Sequence, residues 1–192
     1  MSPETLSIVP QPPPPGIYIT IGPGDLTEWA LENITRSFPL PNRVIWMDAA
    51  NAFNAYVVAI TARAAGKDAT LILKSFQVAR PFTAFQLETM VSDKSLPIVR
   101  RFGALFSVIA DPLRLFRDAE GRDTQIHQCF DRFIAGLQRL AKESAVLVLH
   151  PSHANRYAPA LIERATRITH LKRIENRLTL SLVSPQEALA LG

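Results

Sequence analysis

Five largely apolar runs of five to eight residues, the third of them interrupted by Lys74 and Gln77, constrain this chain more than any other feature. They are Gly16–Ile21, Arg43–Met47, Leu71–Val78, Ala104–Ala110 and Ala145–Leu149. A strand that faces water on one side alternates apolar and polar residues. A run that stays apolar must be covered on both faces. The segments between the runs supply that cover. Asp25–Ser37 puts Leu26, Trp29, Ala30 and Ile34 on one helical face. Ala52–Ala65 reads as a helix closed by Gly66, and Phe82–Val91 as one that starts just after Pro81. Thr124–Ser144 spaces Ile126, Phe130, Phe133, Ile134, Leu137 and Leu140 for burial. A short helix is expected over Ala160–Arg164. Ile168–Leu171 and Arg177–Val183 read as a terminal antiparallel hairpin turning near Glu175-Asn176. The expected class is α/β: a mostly parallel sheet flanked by helices, with an antiparallel hairpin at one edge.

Residues 1–15 stand apart. They hold six prolines, including Pro12–Pro15, and read as an extended arm, since proline fixes φ and donates no hydrogen bond. Residues 16–192 are enough for a single domain with a substantial core. The one cysteine, Cys129, excludes an internal disulfide framework. No run reaches the roughly 18 apolar residues of a membrane span, and no basic-then-apolar leader opens the chain, so a cytoplasmic protein with no membrane partner is expected. The formal net charge of +4 is uneven. Residues 1–50 carry two basic and five acidic side chains, against nine and six in 51–120 and ten and six in 121–192. An anion-binding face would therefore come from the later part of the chain.

In open α/β sheets the chemistry lies beyond the carboxyl ends of the strands. In order, those ends carry Gly22-Pro23-Gly24-Asp25, Asp48-Ala49-Ala50-Asn51, Ala79-Arg80-Pro81, Asp111-Pro112 and His150-Pro151-Ser152-His153. A Gly-rich turn into a helix can present N–H groups to a phosphate. Here Asp25 and Glu28 open the helix, and they match a capping pattern that needs no ligand. Asp111 and Asp48 are each suited to Mg²⁺ or, equally, to starting a turn. His150 and His153, with His127, His170 and Cys129, match no zinc spacing, so no metal site is expected. Nor does the chain contain a G-x-S-x-G elbow for a catalytic serine.

The order of these units resembles the RecA-like recombination ATPases. Val44–Phe53 is similar to that superfamily's second core strand, which is followed by an acid, a catalytic Glu two residues on, and an aromatic. Gln77–Glu88 resembles its next strand–helix unit, Leu105–Asp111 its Walker B strand, and Ala145–Leu149 the strand leading to its second DNA-binding loop. The hairpin resembles the antiparallel edge of that fold. The resemblance spans about residues 16–183 and rests on element order. It implies a nucleotide site at Gly22, Pro23, Gly24, Asp25, Thr27, Asp48 and Asp111, vestigial where the pattern breaks. A Walker A loop is G-x-x-x-x-G-K-[ST]. Gly22–Thr27 is shorter and has no lysine, and Ala50 stands at the catalytic Glu position.

The resulting expectation is a RecA-like domain without catalytic residues or cofactor. It would be an accessory or regulatory protein of DNA recombination or repair, pairing with itself or another RecA-like protein. The alternative is an active ATPase using ATP and Mg²⁺, with Arg80, Arg114 and Lys74 supplying the cations. Arg100, Arg101, His153, Arg156, Lys172 and Arg173 are the candidate DNA contacts, with His150, Arg164, Arg167 and Arg177 nearby in the sequence. Of the aromatics Phe82, Phe85, Phe102, Phe106 and Phe116, which would serve oligomerisation if exposed, most are expected in the core.

Overall fold

A computed structural model describes residues 14–37, 43–151, 155–174 and 177–191. One seven-stranded sheet runs through it in the order β3-β2-β4-β5-β1-β6-β7. The strands are β1 (Gly16–Gly22), β2 (Arg43–Asp48), β3 (Phe76–Ala79), β4 (Ala104–Ala110), β5 (Ala145–Pro151), β6 (Arg167–Ile174) and β7 (Arg177–Leu182). Every pairing is parallel except that of β6 with β7. The α/β class and the antiparallel edge read from the sequence are those of the structure. The Glu175-Asn176 turn lies outside the described residues, as does the arm through residue 13. At the arm's end, the Tyr18 hydroxyl donates to the Pro14 carbonyl at 3.0 Å.

The helices divide between the two faces by the direction in which each crossover travels. Helices α1 (Leu26–Ser37), α2 (Ala55–Ala64) and α3 (Ala69–Ser75) join β1, β2 and β3 as the chain moves toward one edge. The remaining helices belong to the return journey: α4 (Ala84–Thr89), α5 (Ser95–Phe102), α6 (Pro112–Arg117), α7 (Asp123–Ala141), α8 (Ala158–Ile162) and α9 (Pro185–Leu189). Right-handed crossovers in opposite directions must land on opposite faces. Two cores result. Tyr18, Trp46, Val108 and Leu147 face Leu26 and Leu31 of α1. Ile19, Met47, Ile109 and Val148 face Phe116, Phe133 and Leu137. Side chains therefore alternate between two buried faces, and the strands stay apolar throughout.

The third apolar run is corrected. Leu71–Val78 was expected as a strand, but Ala69–Ser75 is helix and only Phe76–Ala79 is strand. Asp68 decides this: its carboxylate accepts the N–H groups of Thr70 (2.8 Å) and Leu71 (3.1 Å), which caps a helix. Ile72 is then buried and Leu71 exposed, so the run is one-sided after all. The helix expected from Phe82 to Val91 begins at Ala84, passes through a π turn at Met90–Lys94 and continues to Phe102. Helix α2 starts at Ala55, three residues later than expected, because Asn54 caps it. Helices α6 and α9 were not foreseen.

Candidate functional site

The carboxyl ends of the strands form one rim. At β1, only Pro23, Gly24 and Asp25 separate strand from helix, and the Leu26 N–H donates to the Pro23 carbonyl at 3.0 Å. A Cβ on Gly22 would lie 3.1 Å from Leu171 Cβ and 3.1 Å from Leu26 Cδ1. Leu171 and Leu26 thus pack against the backbone at Gly22, whereas the space beside Gly24 is open. The Asp25 carboxylate forms an ion pair with Arg173 of β6, and the Asp25 carbonyl accepts the Trp29 N–H at 3.1 Å. Asp25 therefore opens α1, but its side chain ties the turn to β6 rather than reaching for Glu28. Thr27 is buried.

At β2, Asp48 is fully buried. Its Oδ1 accepts the Ala52 N–H at 2.9 Å, and its Oδ2 accepts the Phe53 N–H at 3.0 Å and Arg80 Nε at 3.1 Å. Arg80 also donates to the Phe53 carbonyl at 3.3 Å. The carboxylate thus folds the 49–53 loop and ties β3 to it. The Ala50 carbonyl accepts from Arg114 Nη1 at 3.2 Å. At β4, Asp111 is buried at the start of α6, and its N–H donates to Leu149 of β5 at 2.8 Å. Asn51 (φ 54°) and Asp111 (φ 47°) are the only non-glycine residues with positive φ among those described, and they follow neighbouring strands. Asn and Asp tolerate this left-handed region better than other side chains.

At β5, His150 is buried beside Ile21 of β1, and His170 of β6 flanks Ile21 from the other side. His153 lies outside the described residues. Burial, assisted by the positive charge of Lys172, holds the His170 pKa below the usual imidazole value. The folded state then binds a proton less readily than the unfolded chain does. This contribution is fully present above the unfolded value of about 6.5 and is lost as pH falls below it. Stability measured by urea unfolding should therefore drop between pH 7 and pH 5, and His170→Gln should flatten that part of the profile. An unchanged slope in the variant would exclude His170 as its source.

The candidate DNA-contact cations do not converge. Arg100 and Arg101 sit at the end of α5, where β4 begins, opposite the rim. There Arg100 donates to Glu143 at 2.7 and 2.9 Å, while Arg101 and Arg43 lie over the Phe102 ring at 5.7 and 5.3 Å. Lys74, in the last turn of α3, precedes β3 and is also away from the rim. Five arginines near the rim have carboxylate partners: Arg80 with Asp48, Arg114 and Arg117 with Asp118, Arg156 with Asp123, and Arg173 with Asp25. The hydrogen bond from Arg117, then the charges of Arg117 and Arg114, holds the Asp118 carboxyl below its usual range. Lys172 is exposed on β6.

Among the described residues no group of three or more His, Cys, Asp or Glu side chains is placed to hold a metal. Burial, with Glu88 nearby, pushes the Cys129 thiol up to about 11, so it stays protonated and unreactive near neutral pH.

The expected burial of the aromatics divides. Phe106 and Phe116 are core, but Phe82 is 70% and Phe85 43% exposed. With Tyr56, Ile60, Leu71 and Val78 they lie on β3, the loop after it, and helices α2, α3 and α4. The other exposed large apolar side chains among the described residues, Ile174, Leu182 and Leu189, are on β6, β7 and α9. Hydrophobic exposure thus collects at the two outer edges of the sheet. Sequence reading missed this because the edge position of β3 is a property of strand order.

Fold and rim together define an α/β protein whose strand-end charges are largely paired with one another. No helix is long and apolar enough to cross a membrane among the described residues. No protein-family model matches the chain, and a search of the curated proteins finds no match.

Proposed function

We propose that this chain is a RecA-like domain that acts by binding rather than by hydrolysing ATP, as an accessory or regulatory protein in DNA recombination or repair. The observation that carries the reading is the Gly22–Thr27 turn. Its connection, Pro23–Asp25, is three residues long, with Leu171 and Leu26 packed against Gly22 and the Asp25–Arg173 pair beside it. A phosphate-binding loop needs open N–H groups and a lysine. This turn has a carboxylate where such a loop would have positive charge. The remaining positions agree. Ala50 replaces the water-orienting acid, and Asp48 is committed to its own loop.

The exposed edge at β3 supports a protein partner, either a second copy or another RecA-like chain. An edge strand flanked by exposed apolar side chains is a feature that soluble proteins otherwise suppress. The rim arginines are divided among separate carboxylates and do not cluster, which favours that partner over DNA, since phosphate binding draws on several clustered cations.

Purified protein should show no ATP turnover. Its melting midpoint should not move with ATP, ADP or GTP, with or without Mg²⁺, because stabilisation grows as RT ln(1 + [L]/Kd) only if the ligand binds. Turnover that disappears in Asp111→Ala would overturn the reading. Sedimentation should show association that is weakened in Phe82→Asp and Phe85→Asp. Salt-dependent retention on single-stranded DNA, unaffected by those two changes, would move the function toward nucleic acid.

A further inference from the structure

A cavity of about 360 Å³ lies on the α7 face of the sheet, where β5 and β1 end side by side. Ile21 and the buried His150 line it from the strands, Ala158 and Ile162 from α8, and Ala188 and Leu191 from the C-terminal segment. The cavity opens to solvent on the side of Arg156, Pro159 and Leu189 and is closed by buried side chains at its base. Small residues keep it open. Ala158 and Ala188, both buried, face it from two short helices where larger apolar side chains would have closed it. Helix α9 forms the outer wall, and its first turn is capped. Ser184 Oγ accepts the Glu187 N–H at 3.2 Å, and Glu187 Oε2 accepts the Ser184 N–H at 2.7 Å, a reciprocal cap.

Two further observations bear on a ligand. The connections from β5 and β1 leave on opposite faces, which is the sheet position where α/β proteins bind small molecules. The volume falls within the range of about 300–1,000 Å³ typical of such sites. The lining is apolar except for His150, Asn155 and Arg156. Asn155 is spent on the fold, donating to the Leu113 carbonyl at 3.1 Å and accepting the Tyr157 N–H at 2.9 Å. Arg156 is half exposed, over the Tyr157 ring at 5.0 Å, and donates one Nη2 bond to the exposed Asp123 at 3.0 Å. A guanidinium has five donors, so one surface carboxylate leaves capacity for another. An exposed pair of this kind is weak enough to rearrange.

We infer that this cavity is a binding site for a small amphipathic carboxylate, with its hydrocarbon body against Ile21, Ile162 and Ala188 and its head on Arg156. The assignment is independent of whether the chain binds nucleotide, because it uses the opposite face of β1 from α1. The test titrates the full chain with decanoate and with decan-1-ol below their aggregation limits, following amide shifts by NMR. Decanoate should bind at one saturable site, with the largest shifts in α8 and α9, and more tightly than the alcohol. Ala188→Leu, which grows into the cavity and should remain folded, should weaken both ligands. Arg156→Gln should weaken decanoate alone by roughly tenfold, the value of one charge-assisted hydrogen bond. Ala158→Leu fills the same space from α8 and serves if Ala188→Leu does not fold. Failure of both ligands to saturate, or binding untouched by the filling variants, would overturn the site. Equal affinity for acid and alcohol would overturn the carboxylate assignment.

Discussion

Gly136→Ala should destabilise this protein by about 3 kcal/mol, although the same change inside an ordinary helix stabilises by up to about 1 kcal/mol. Gly136 lies in the middle of α7, facing the π turn. A Cβ there would lie 2.5 Å from Ser92 Oγ and 2.8 Å from Ser92 Cα. The second distance matters more, because a side chain can rotate away and a backbone carbon cannot. Ser92 is also fixed in place: its hydroxyl donates to the Arg132 carbonyl at 3.1 Å, and its carbonyl accepts from Arg139 at 3.4 Å. The π turn brings it to this position, since the wider turn pushes the Ser92 backbone out toward α7. For a chain of this size the loss corresponds to a fall of about 6–12 °C in melting temperature, read by circular dichroism. Adding Ser92→Gly to Gly136→Ala should recover only part of it, because the clash with Cα remains. A Gly136→Ala protein as stable as the parent would mean that the two helices are not this close.

That contact illustrates what the sequence could not disclose. Gly136 reads as a tolerated glycine in a long apolar-striped helix, and nothing local distinguishes it. Four of the five apolar runs were legible as strands because burial on both faces leaves a pattern within each run. Ala104–Ala110 has the bounds expected of it, and its neighbours differ by a residue or two at their ends. Leu71–Val78 was misread because a short apolar run is compatible with either element, and the discriminating residue, the Asp68 cap, lies outside it. The rim was legible as a list of strand ends but not as a set of pairs. Asp25 finds Arg173 across 148 positions, and Asp48 finds Arg80 across 32. Reading charge along the chain left these arginines as candidate ligand contacts. Strand order gives each a carboxylate, and only strand order could do so. It also separates Arg100 and Arg101 from Arg156, Lys172 and Arg173, a division invisible in one dimension.

Asp48→Ala should cost about 3 kcal/mol, and it should do something that a simple loss of stability would not. Removing the carboxylate leaves the Ala52 and Phe53 N–H groups and Arg80 Nε without their acceptor. Asp48→Asn should fall between Ala and the parent, because the amide keeps one acceptor oxygen but presents a donor to donors on its other side. Arg80→Ala should cost only about 1 kcal/mol, since the guanidinium is nearly half exposed and its attraction is screened. Urea unfolding can rank the three. The added effect concerns the edge. The loop that Asp48 folds leads directly into α2, with Tyr56 and Ile60, and Arg80 directly precedes Phe82 and Phe85. One buried carboxylate therefore sets the relation between the two halves of the exposed apolar surface. Trp46 reports on this arrangement, because its ring lies 5.6 Å from Phe53 and 6.2 Å from Phe76. In Asp48→Ala at a temperature where the protein is still folded, Trp46 fluorescence should shift and self-association should weaken beyond what Gly136→Ala causes. Gly136→Ala is a control of matched stability, because its clash falls on the π turn that follows α4 and leaves the Asp48–Arg80 contacts intact. If both variants lose association only in step with their stability, Asp48 is a structural residue and has no part in presenting the edge.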